Sequence, residues 1–419
     1  MNIIDELIWR GLVQDISDLD GIKKLPEGTV FYVGFDPTAP SLQLGNLVPL
    51  TVATRLARAG FKAMILFGGA TGGIGDPSGR STERPLLPRE TIDLNIANQK
   101  KKVIEMFSRA NLEVEFINNF DWTRDMPVID FLRDVGKHFT INYMLAKDVI
   151  KSRLSGEGLS YTEFSYVLLQ AFDFFHLYQT KNCRLEIGGS EQWGNITAGL
   201  ELIRRKVQGD AYGFTLPIIT DSQGKKFGKS AGNALWLDGT MTSPFKLHQF
   251  LLNTPDEDVE RLLRVFSFLS KDDITQLCEE HKQAPEKRLA QKTLADGIVS
   301  FVHGDQAVED ANRGAAVLFG GSLDGITEDV LEEVFQDVPS TECNKSEIEN
   351  ISVVDLFVKT NLSTSKAEAR RLITNGGAYV HGERITDVAT LIKDTKRGLA
   401  KFIVLRSGKK NYHTVKVVE

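Results

Sequence analysis

The most constraining feature of the sequence is an apolar stretch that runs into a proline-rich turn and then a helical pattern, at residues 28–49. Residues 29–35 are β-branched and aromatic, which predicts a short buried strand. Asp36-Pro-Thr-Ala-Pro can continue neither strand nor helix, and apolar residues at helical spacing follow up to Gly60. The helix N-terminus would supply unpaired N–H groups that suit a nucleotide phosphate. Taken alone, the pattern also fits any first βα unit of an α/β domain.

The same alternation of strand and helix recurs through residues 1–240. After a helical lead-in, strands are predicted at residues 29–35, 63–67, 114–117, 184–187 and 215–220. Helical stretches lie between them. Alternation of this kind predicts a doubly wound, Rossmann-like parallel sheet. Ligands of such sheets bind beyond the carboxyl ends of the strands. Residues from about 86 to 160 are mainly helical in pattern and are interpreted as an insertion.

Length and charge predict further domains. A chain of 419 residues is too long to fold around a single hydrophobic core. Residues 241–320 have an amphipathic helical pattern, residues 321–350 are acidic and polar like a linker, and residues 351–419 predict a small α+β domain. Residues 352–419 carry a net charge of +7, whereas the rest carries −13. A basic module on an acidic body is typical of polyanion binding, which favours RNA here.

The composition also excludes several classes of protein. No apolar run approaches membrane-spanning length, and the N-terminus carries early acids unlike a signal peptide. The cysteines, at positions 183, 278 and 343, have neither disulfide-framework nor metal spacing. They indicate a reducing, cytoplasmic location. The histidines are dispersed too, so we expect no zinc site.

A polar stripe lies within the apolar helical pattern of residues 162–178. Tyr166, Gln170 and Asp173 are spaced by four and three residues and share one face of that helix. Such a stripe is costly to bury unless each group has a partner. Both a satisfied buried network and a pocket for a small polar ligand fit this pattern.

Three segments of the chain resemble well-known motifs but do not match them. The glycine-rich residues 68–79 lack the Gly-x-Gly-x-x-Gly spacing of a dehydrogenase. Residues 188–192 resemble a hydrolase nucleophile elbow, but Gln192 stands where that motif needs glycine. Only three residues separate Gly224 from Gly228, one fewer than a P-loop requires. Residues 225–229 are interpreted as a mobile loop whose lysines could meet phosphates as point charges. A solvated lysine pair fits the same pattern.

Five segments in order resemble the bacterial and organellar tyrosyl-tRNA synthetases, a class I family. They are Tyr32-x-Gly-Phe-Asp-Pro-Thr-Ala, Gly68-Gly-Ala-Thr-x-x-Ile-Gly-Asp-Pro-Ser-Gly, Phe164-Ser-Tyr-x-x-Leu-Gln-x-x-Asp, Ile187-Gly-Gly-Ser-x-Gln-Trp-Gly-Asn-Ile-Thr-x-Gly and Lys226-Phe-Gly-Lys-Ser. The tail resembles an S4 RNA-binding domain through Ser365-Lys-Ala-x-x-Arg-Arg-x-Ile. The resemblance therefore covers most of residues 1–300 and the basic tail.

The resemblance implies roles for individual residues. Those that match the amino-acid site are Tyr32 and Asp173 for the phenol, Asp76, Tyr166 and Gln170 for the ammonium, Gln192 for the carboxylate, and Glu186 beside the pocket. Those that match the ATP site are Gly34, Asp36, Gly45, Asn46, Gly189, Glu191, Lys229 and Ser230. Those that match groups on the departing pyrophosphate are Thr38, Gln43, Arg80, Arg84, Lys226 and Lys229. The RNA contacts expected in the tail are Lys366, Arg370 and Arg371.

The resemblance also implies a reaction and its partners. ATP, with Mg²⁺ on its phosphates, would activate L-tyrosine to the adenylate, and tRNA(Tyr) would accept the acyl group. Neither a protein nucleophile nor a protein-held metal is implied. A homodimer in the cytoplasm is expected.

Four positions depart from the family pattern. Gln43 and Asn46 replace the two histidines of His-x-Gly-His, Glu186 replaces a glutamine, and Glu191 replaces an aspartate. They leave open an alternative, a synthetase-like paralogue that binds RNA or a tyrosine-like ligand without aminoacylation. The retained lysine loop, arginines, Tyr32 and Asp173 favour the active enzyme. A synthetase for another amino acid would need different residues at 32 and 173.

Overall fold

The computed structural model divides the chain into two units. It describes residues 2–79, 82–154, 158–230, 233–318, 326, 328–336, 338–395, 400–408 and 411–418. The first unit comprises Met1–Thr242 with Leu251–Val302, and the second comprises Ser243–Phe250 with His303–Glu419. Each unit has its own sheet.

The sheet of the first unit is parallel throughout. Its strands are β1 (Val30–Phe35), β2 (Lys62–Phe67), β3 (Glu115–Asn118), β4 (Cys183–Gly189) and β5 (Tyr212–Leu216). Their spatial order is β3-β2-β1-β4-β5, so the chain winds outward from β1 to β3 and then returns to the other side with β4. The order therefore reverses between β1 and β4, where a doubly wound sheet opens a crevice for ligands. The predicted parallel α/β fold is confirmed.

Helices cover both units. They are α1 (Ile3–Trp9), α2 (Leu19–Lys23), α3 (Leu47–Arg58), α4 (Arg89–Arg109), α5 (Phe120–Thr123), α6 (Val128–Asp134), α7 (Ile141–Leu145), α8 (Asp148–Leu154), α9 (Tyr161–Lys181), α10 (Trp193–Val207), α11 (Pro244–Leu252), α12 (Asp256–Phe266), α13 (Lys271–Gln283), α14 (Leu289–His303), α15 (Asp305–Leu318), α16 (Glu328–Val334), α17 (Lys345–Ile348), α18 (Val353–Lys359) and α19 (Lys366–Thr374). No helix among the described residues is long and apolar enough to cross a membrane.

Helix α9 carries the polar stripe, and its ends follow from local sequence. The Ser160 side chain accepts a hydrogen bond from the Glu163 backbone N–H, which caps the first turn. Asn182 ends the helix in the left-handed conformation, at φ 52°. Helix α9 packs against α10, and its apolar residues lie in one buried cluster with Tyr32 of β1. The stripe is thus held between the sheet and a second helix.

Two local predictions differ from the structure. The strand predicted at residues 215–220 ends at Leu216, because Pro217 has no N–H to donate to a ladder. A short hairpin follows it instead, formed by β6 (Lys229–Ser230) and β7 (Asn233–Ala234). The mainly helical insertion predicted at about 86–160 is divided into separate helices, α4 to α8, and the strand β3.

The second unit holds a smaller, mixed sheet. Its strands are β8 (Ser340–Asn344), β9 (Ala378–Val380), β10 (Glu383–Ile385), β11 (Phe402–Ser407) and β12 (Asn411–Val418). The order is β10-β9-β11-β12-β8; β8 runs parallel to β12 and the other neighbours are antiparallel. The segment predicted as a linker, 321–350, therefore contributes α16, β8 and α17 to this unit. The predicted domain boundaries remain a prediction.

Candidate active site

A cavity of about 510 Å³ opens at the carboxyl ends of β1 and β4, where the strand order reverses. It lies entirely within the first unit. The predicted site residues that line it are Tyr32, Gly34, Asp36, Thr38, Gln43, Gly45, Asn46, Asp76, Arg84, Tyr166, Gln170, Asp173, Glu186, Gly189, Glu191, Gln192 and Lys226. The structure thus brings together residues that are up to 194 positions apart in the sequence.

Tyr32, Asp173 and Glu186 form what we call the deep cluster of this cavity. Asp173, 2% exposed, accepts hydrogen bonds from Asn119 Nδ2 at 2.9 Å and Trp122 Nε1 at 2.8 Å. Burial raises the pKa of Asp173 to about 7, although these two donors oppose the shift. Asp173 can therefore titrate near neutral pH, unlike an exposed aspartate.

Tyr32 and Glu186 face each other in the same cluster, from the neighbouring strands β1 and β4. Burial and the nearby Glu186 raise the pKa of Tyr32 well above its ordinary value, so it stays a neutral phenol. Burial raises the pKa of Glu186 to about 7, and the Tyr32 hydroxyl opposes that rise. Within the described residues, neither the Tyr32 hydroxyl nor Glu186 Oε2 has a partner at full hydrogen-bond geometry. These two polar atoms can therefore form hydrogen bonds with a ligand.

A second group of side chains surrounds Asp36, directly after β1. Its carboxylate accepts hydrogen bonds from Thr71 Oγ1 and the Tyr166 hydroxyl, both at 2.8 Å. Burial and the charge of Asp76 raise the pKa of Asp36 to about 6. Gly68 is required here, because a Cβ at that position would collide with Asp36 Oδ1 and Thr71 Oγ1. The glycine-rich loop thus allows the close approach of backbone and carboxylate.

Between the carboxylates of Glu186 and Asp76 runs a chain of three side-chain amides, which we call the amide chain. Gln170 Nε2 donates to Glu186 Oε1 at 2.9 Å. Asn195 Nδ2 donates to Gln170 Oε1 at 3.0 Å and to Gln192 Oε1 at 2.9 Å. Gln192 Nε2 donates to Asp76 Oδ2 at 2.7 Å. The polar stripe of α9 is therefore both a satisfied network and a cavity wall.

The mouth of the cavity carries the cationic and exposed residues. Arg84 donates from Nε to the Asp76 carbonyl oxygen at 3.1 Å, and Lys226 is exposed. The Gln43 side chain is exposed, and the Gln43 backbone N–H donates to Asn46 Oδ1 at 2.9 Å. Asn46 therefore retains its side-chain N–H donors for a ligand. Arg84 and Lys226 thus add positive charge to the lining of the cavity.

Some predicted residues lie elsewhere. Arg80 lies outside the described residues, as do the side chains of Lys229 and Ser230. In the second unit, Lys366, Arg370 and Arg371 are exposed on α19, and Lys366 pairs with Asp355 at 2.6 Å. They are not part of the cavity.

Four polar residues that hold the site together were not predicted from the sequence: Thr71, Asn119, Trp122 and Asn195. Asn119 is fully buried and also donates to Thr71 Oγ1 at 3.0 Å, so it links the deep cluster to Asp36. Asn119 directly follows β3, and that position at the ligand edge of the sheet is a signal that could have been used. Asn195 lies inside the family-like segment that begins at Ile187, but the resemblance gave it no role.

The chain is similar to known proteins along nearly its whole length. Residues 24–320 match the family model "tRNA synthetases class I (W and Y)", and residues 330–415 match "Tyrosine--tRNA ligase SYY-like C-terminal domain". The tyrosine–tRNA ligase of Geobacillus stearothermophilus is 46% identical over 421 residues, covering 99% of this chain and 100% of that protein. Tyrosine–tRNA ligase 1 of Bacillus subtilis is also 46% identical, with 99% of each chain covered.

A solved structure gives the same result. The C-terminally truncated mitochondrial tyrosyl-tRNA synthetase of Aspergillus nidulans superposes with a TM-score of 0.69 at 32% identity. The match covers 76% of this chain and 94% of that one.

Proposed function

The chain belongs to the tyrosyl-tRNA synthetases, class I enzymes that ligate tyrosine to tRNA, and from that premise we propose how its cavity performs the reaction. The observation that carries the proposal is the deep cluster: a buried phenol hydroxyl and a buried carboxylate converge in a cavity at the switch point of the sheet. Tyr32 would donate a hydrogen bond to the oxygen of the substrate phenol, and Asp173 would accept a hydrogen bond from the phenol O–H.

This pairing accounts for selection against phenylalanine. Without the substrate hydroxyl, the Tyr32 hydroxyl would stay buried without a partner. Asp173 would keep Asn119 and Trp122 as donors but would lose the hydrogen bond from the substrate. Sites built to hydrogen-bond a hydroxyl reject its absence strongly, and tyrosyl-tRNA synthetases are the standard example of this rule. Full-length relatives that are tyrosine–tRNA ligases favour this interpretation over the non-aminoacylating paralogue.

The amino-acid backbone would lie against the amide chain and its neighbours. Asp76, Tyr166 and Gln170 offer acceptors for the α-ammonium group, and Gln192 lies at the end where a carboxylate can accept from its amide. All four line the cavity. The α-ammonium group of the amino acid would thus meet acceptors, and its carboxylate would meet a donor.

ATP would occupy the remaining cavity wall. The residues proposed to contact the nucleotide are Gly34, Asp36, Gly45, Asn46, Gly189, Glu191, Lys229 and Ser230. Those proposed to contact the pyrophosphate are Thr38, Gln43, Arg80, Arg84, Lys226 and Lys229. Mg²⁺ would enter on the ATP phosphates and neutralise part of their charge; the described residues contain no group of three metal-ligating side chains.

In the first step, a carboxylate oxygen of tyrosine attacks the α-phosphorus of ATP. The bond from that phosphorus to the bridging oxygen breaks, and pyrophosphate leaves with the electron pair. The cations at the mouth stabilise the growing negative charge, while the cavity holds the reactants in line. In the second step, a terminal ribose hydroxyl of tRNA attacks the carbonyl carbon, and AMP leaves.

The second unit and an apolar surface of the first are proposed to bind partners. Lys366, Arg370 and Arg371 would contact tRNA phosphates. Val128 and Ile129 of α6 are each 71% exposed, which supports association of two copies through this surface. We propose a homodimer located in the cytoplasm, where charged tRNA serves translation.

Transfer of labelled tyrosine to purified tRNA tests both steps together. Labelled tRNA should accumulate only with ATP and the enzyme present. A folded protein that forms the adenylate but charges no tRNA would support the paralogue instead.

A further inference from the structure

The amide chain joins two buried acidic residues through three amides, and its direction can be worked out from the number of donors. An ionised carboxylate can only accept hydrogen bonds, so each end fixes the amide beside it. Glu186 requires the nitrogen of Gln170 to face it, and Asp76 requires the same of Gln192. Both amide oxygens then turn toward Asn195.

Asn195 has one N–H group for each of these two oxygens. Its Nδ2 carries two N–H groups and donates one to Gln170 Oε1 at 3.0 Å and one to Gln192 Oε1 at 2.9 Å. If either glutamine were flipped, two N–H groups would face each other beside Asn195. A flip would also place an amide oxygen against a carboxylate. The two carboxylates and Asn195 therefore select one orientation.

We propose that Glu186 and Asn195 are positioning residues that lock Gln170 and Gln192 in the orientation that receives an α-amino acid. This inference rests on the proposed function of the cavity. In the locked state Gln170 Oε1 keeps a lone pair for the ammonium group, and Gln192 Nε2 keeps an N–H for the carboxylate. Both side chains line the cavity. If flipped, Gln170 would turn N–H groups toward the ammonium group and Gln192 would turn an oxygen toward the carboxylate.

The carboxyl group of Glu186 matters because a glutamine there would not enforce a direction. A carboxamide can donate or accept, and so can a protonated carboxyl group. Burial raises the pKa of Glu186 to about 7, so the lock is strongest above that pH and weakens as the pH falls through it.

Other titratable groups face Glu186 as well. They are Tyr32 of β1, Asp173 of α9 and Cys183 of β4. From α10 and β5, Gly199 lies beside Glu186 Oε2 and Gly213 lies beside the Glu186 backbone oxygen, and glycine does not titrate. Because Asp173 titrates in the same range, a pH profile of the native protein alone cannot isolate Glu186. The ratio between native protein and a Glu186 variant can, since the other groups are common to both.

The test measures kcat and KM for tyrosine in ATP–pyrophosphate exchange from pH 6 to pH 8.5. Glu186→Gln should raise the KM for tyrosine about fivefold above pH 8 and change kcat less than twofold, since a charged acceptor is replaced by a neutral one. The ratio of native to variant kcat/KM should grow as the pH rises through 7. Asn195→Asp, which keeps the size but removes both donors, should raise the same KM about tenfold or more.

Two further variants separate positioning from general damage. Glu201→Gln makes the same chemical change on α10, where Glu201 pairs with Arg204 at 2.8 Å outside the cavity, and should leave the exchange kinetics unchanged. In the double variant Glu186→Gln, Asn195→Asp, the two effects should fall short of adding, because both act through Gln170.

The outcomes distinguish the inference from the proposed function. Exchange by the native protein with a native-to-variant ratio that does not change with pH would overturn the role of Glu186. Additive effects in the double variant would overturn the shared lock. No tyrosine-dependent exchange by the folded native protein would contradict the proposed function itself.

Discussion

Trp122 Nε1 lies 2.8 Å from Asp173 Oδ1, and this hydrogen bond joins the segment predicted as an insertion to the deep cluster. Asn119 Nδ2 donates to the other oxygen of the same carboxylate at 2.9 Å. Two donors thus support a carboxylate that burial pushes toward the neutral form. The residues around β3 therefore support the carboxylate that we propose to recognise the substrate phenol.

Asn119→Ala tests this support. The substitution removes the hydrogen bonds to Asp173 and Thr71 and leaves the Ala70 backbone N–H without its side-chain acceptor. We expect the free energy of unfolding to fall by about 1–3 kcal/mol, because buried polar groups lose their hydrogen-bond partners. The KM for tyrosine should rise about tenfold, more at pH 7 than at pH 8.5, since the pKa of Asp173 would rise further.

Thermal denaturation and exchange kinetics measure these two effects. Asn142→Ala, on the exposed surface of α7, is the control and should change neither. An unchanged KM for tyrosine in Asn119→Ala would contradict the supporting role.

Asp173→Asn should change how stability depends on pH. Burial raises the pKa of Asp173 to about 7, far above the range of an exposed aspartate, so the native carboxyl group is favoured neutral. The native protein therefore gains stability from this group at low pH and loses it as the pH rises through 7. Asparagine does not titrate, so the melting temperature of the variant relative to native should increase between pH 5 and pH 8. A difference that stays flat or declines would contradict the assignment.

Gln43→His tests the first of the departures at the mouth. An imidazolium group there would add positive charge near the departing pyrophosphate, whereas the native amide offers only a neutral donor. We expect kcat for exchange to rise up to about fivefold near pH 6 and the gain to disappear above pH 7.5, as imidazole loses its proton. Gln276→His, on the exposed face of α13, should have no effect. A kcat at pH 6 that is unchanged or lower would contradict a place for position 43 beside the pyrophosphate.

Replacement of Arg370 and Arg371 by alanine tests the RNA surface. Both are exposed on α19, so folding should be little affected. The KM for tRNA should rise, and its dependence on log salt should weaken by about one unit for each phosphate that is no longer neutralised. Tyrosine-dependent exchange should not change, because it needs no tRNA. Lys359→Ala, whose native side chain pairs with Glu347, serves as the control.

Local pattern predicted the alternation of strands and helices and the polar stripe of α9, whereas most of the site residues were assigned through the family resemblance. The strand at β1 and the spacing of Tyr166, Gln170 and Asp173 depend on periodicity within one element, which a sequence displays directly. Asn119 and Trp122 act on a residue more than 50 positions away, so no local pattern reports them. Their contacts arise only when the sheet brings β3 and α9 to the same edge.

The strand β8 was missed for a related reason. Ser340–Asn344 is largely polar and has one buried side chain, Cys343, so it lacks strand-like apolar alternation. Its strand conformation comes from parallel pairing with β12 at the far end of the chain. Tertiary pairing of this kind overrides local propensity.

The most direct test of the central claim is ATP–pyrophosphate exchange by the native protein with tyrosine, with phenylalanine, and without an amino acid. We predict exchange with tyrosine and at least about 10⁴-fold lower kcat/KM with phenylalanine, the range known for tyrosyl-tRNA synthetases, where buried polar groups lose their partner. Comparable exchange with phenylalanine, or none with tyrosine by a folded protein that binds ATP, would contradict recognition by Tyr32 and Asp173.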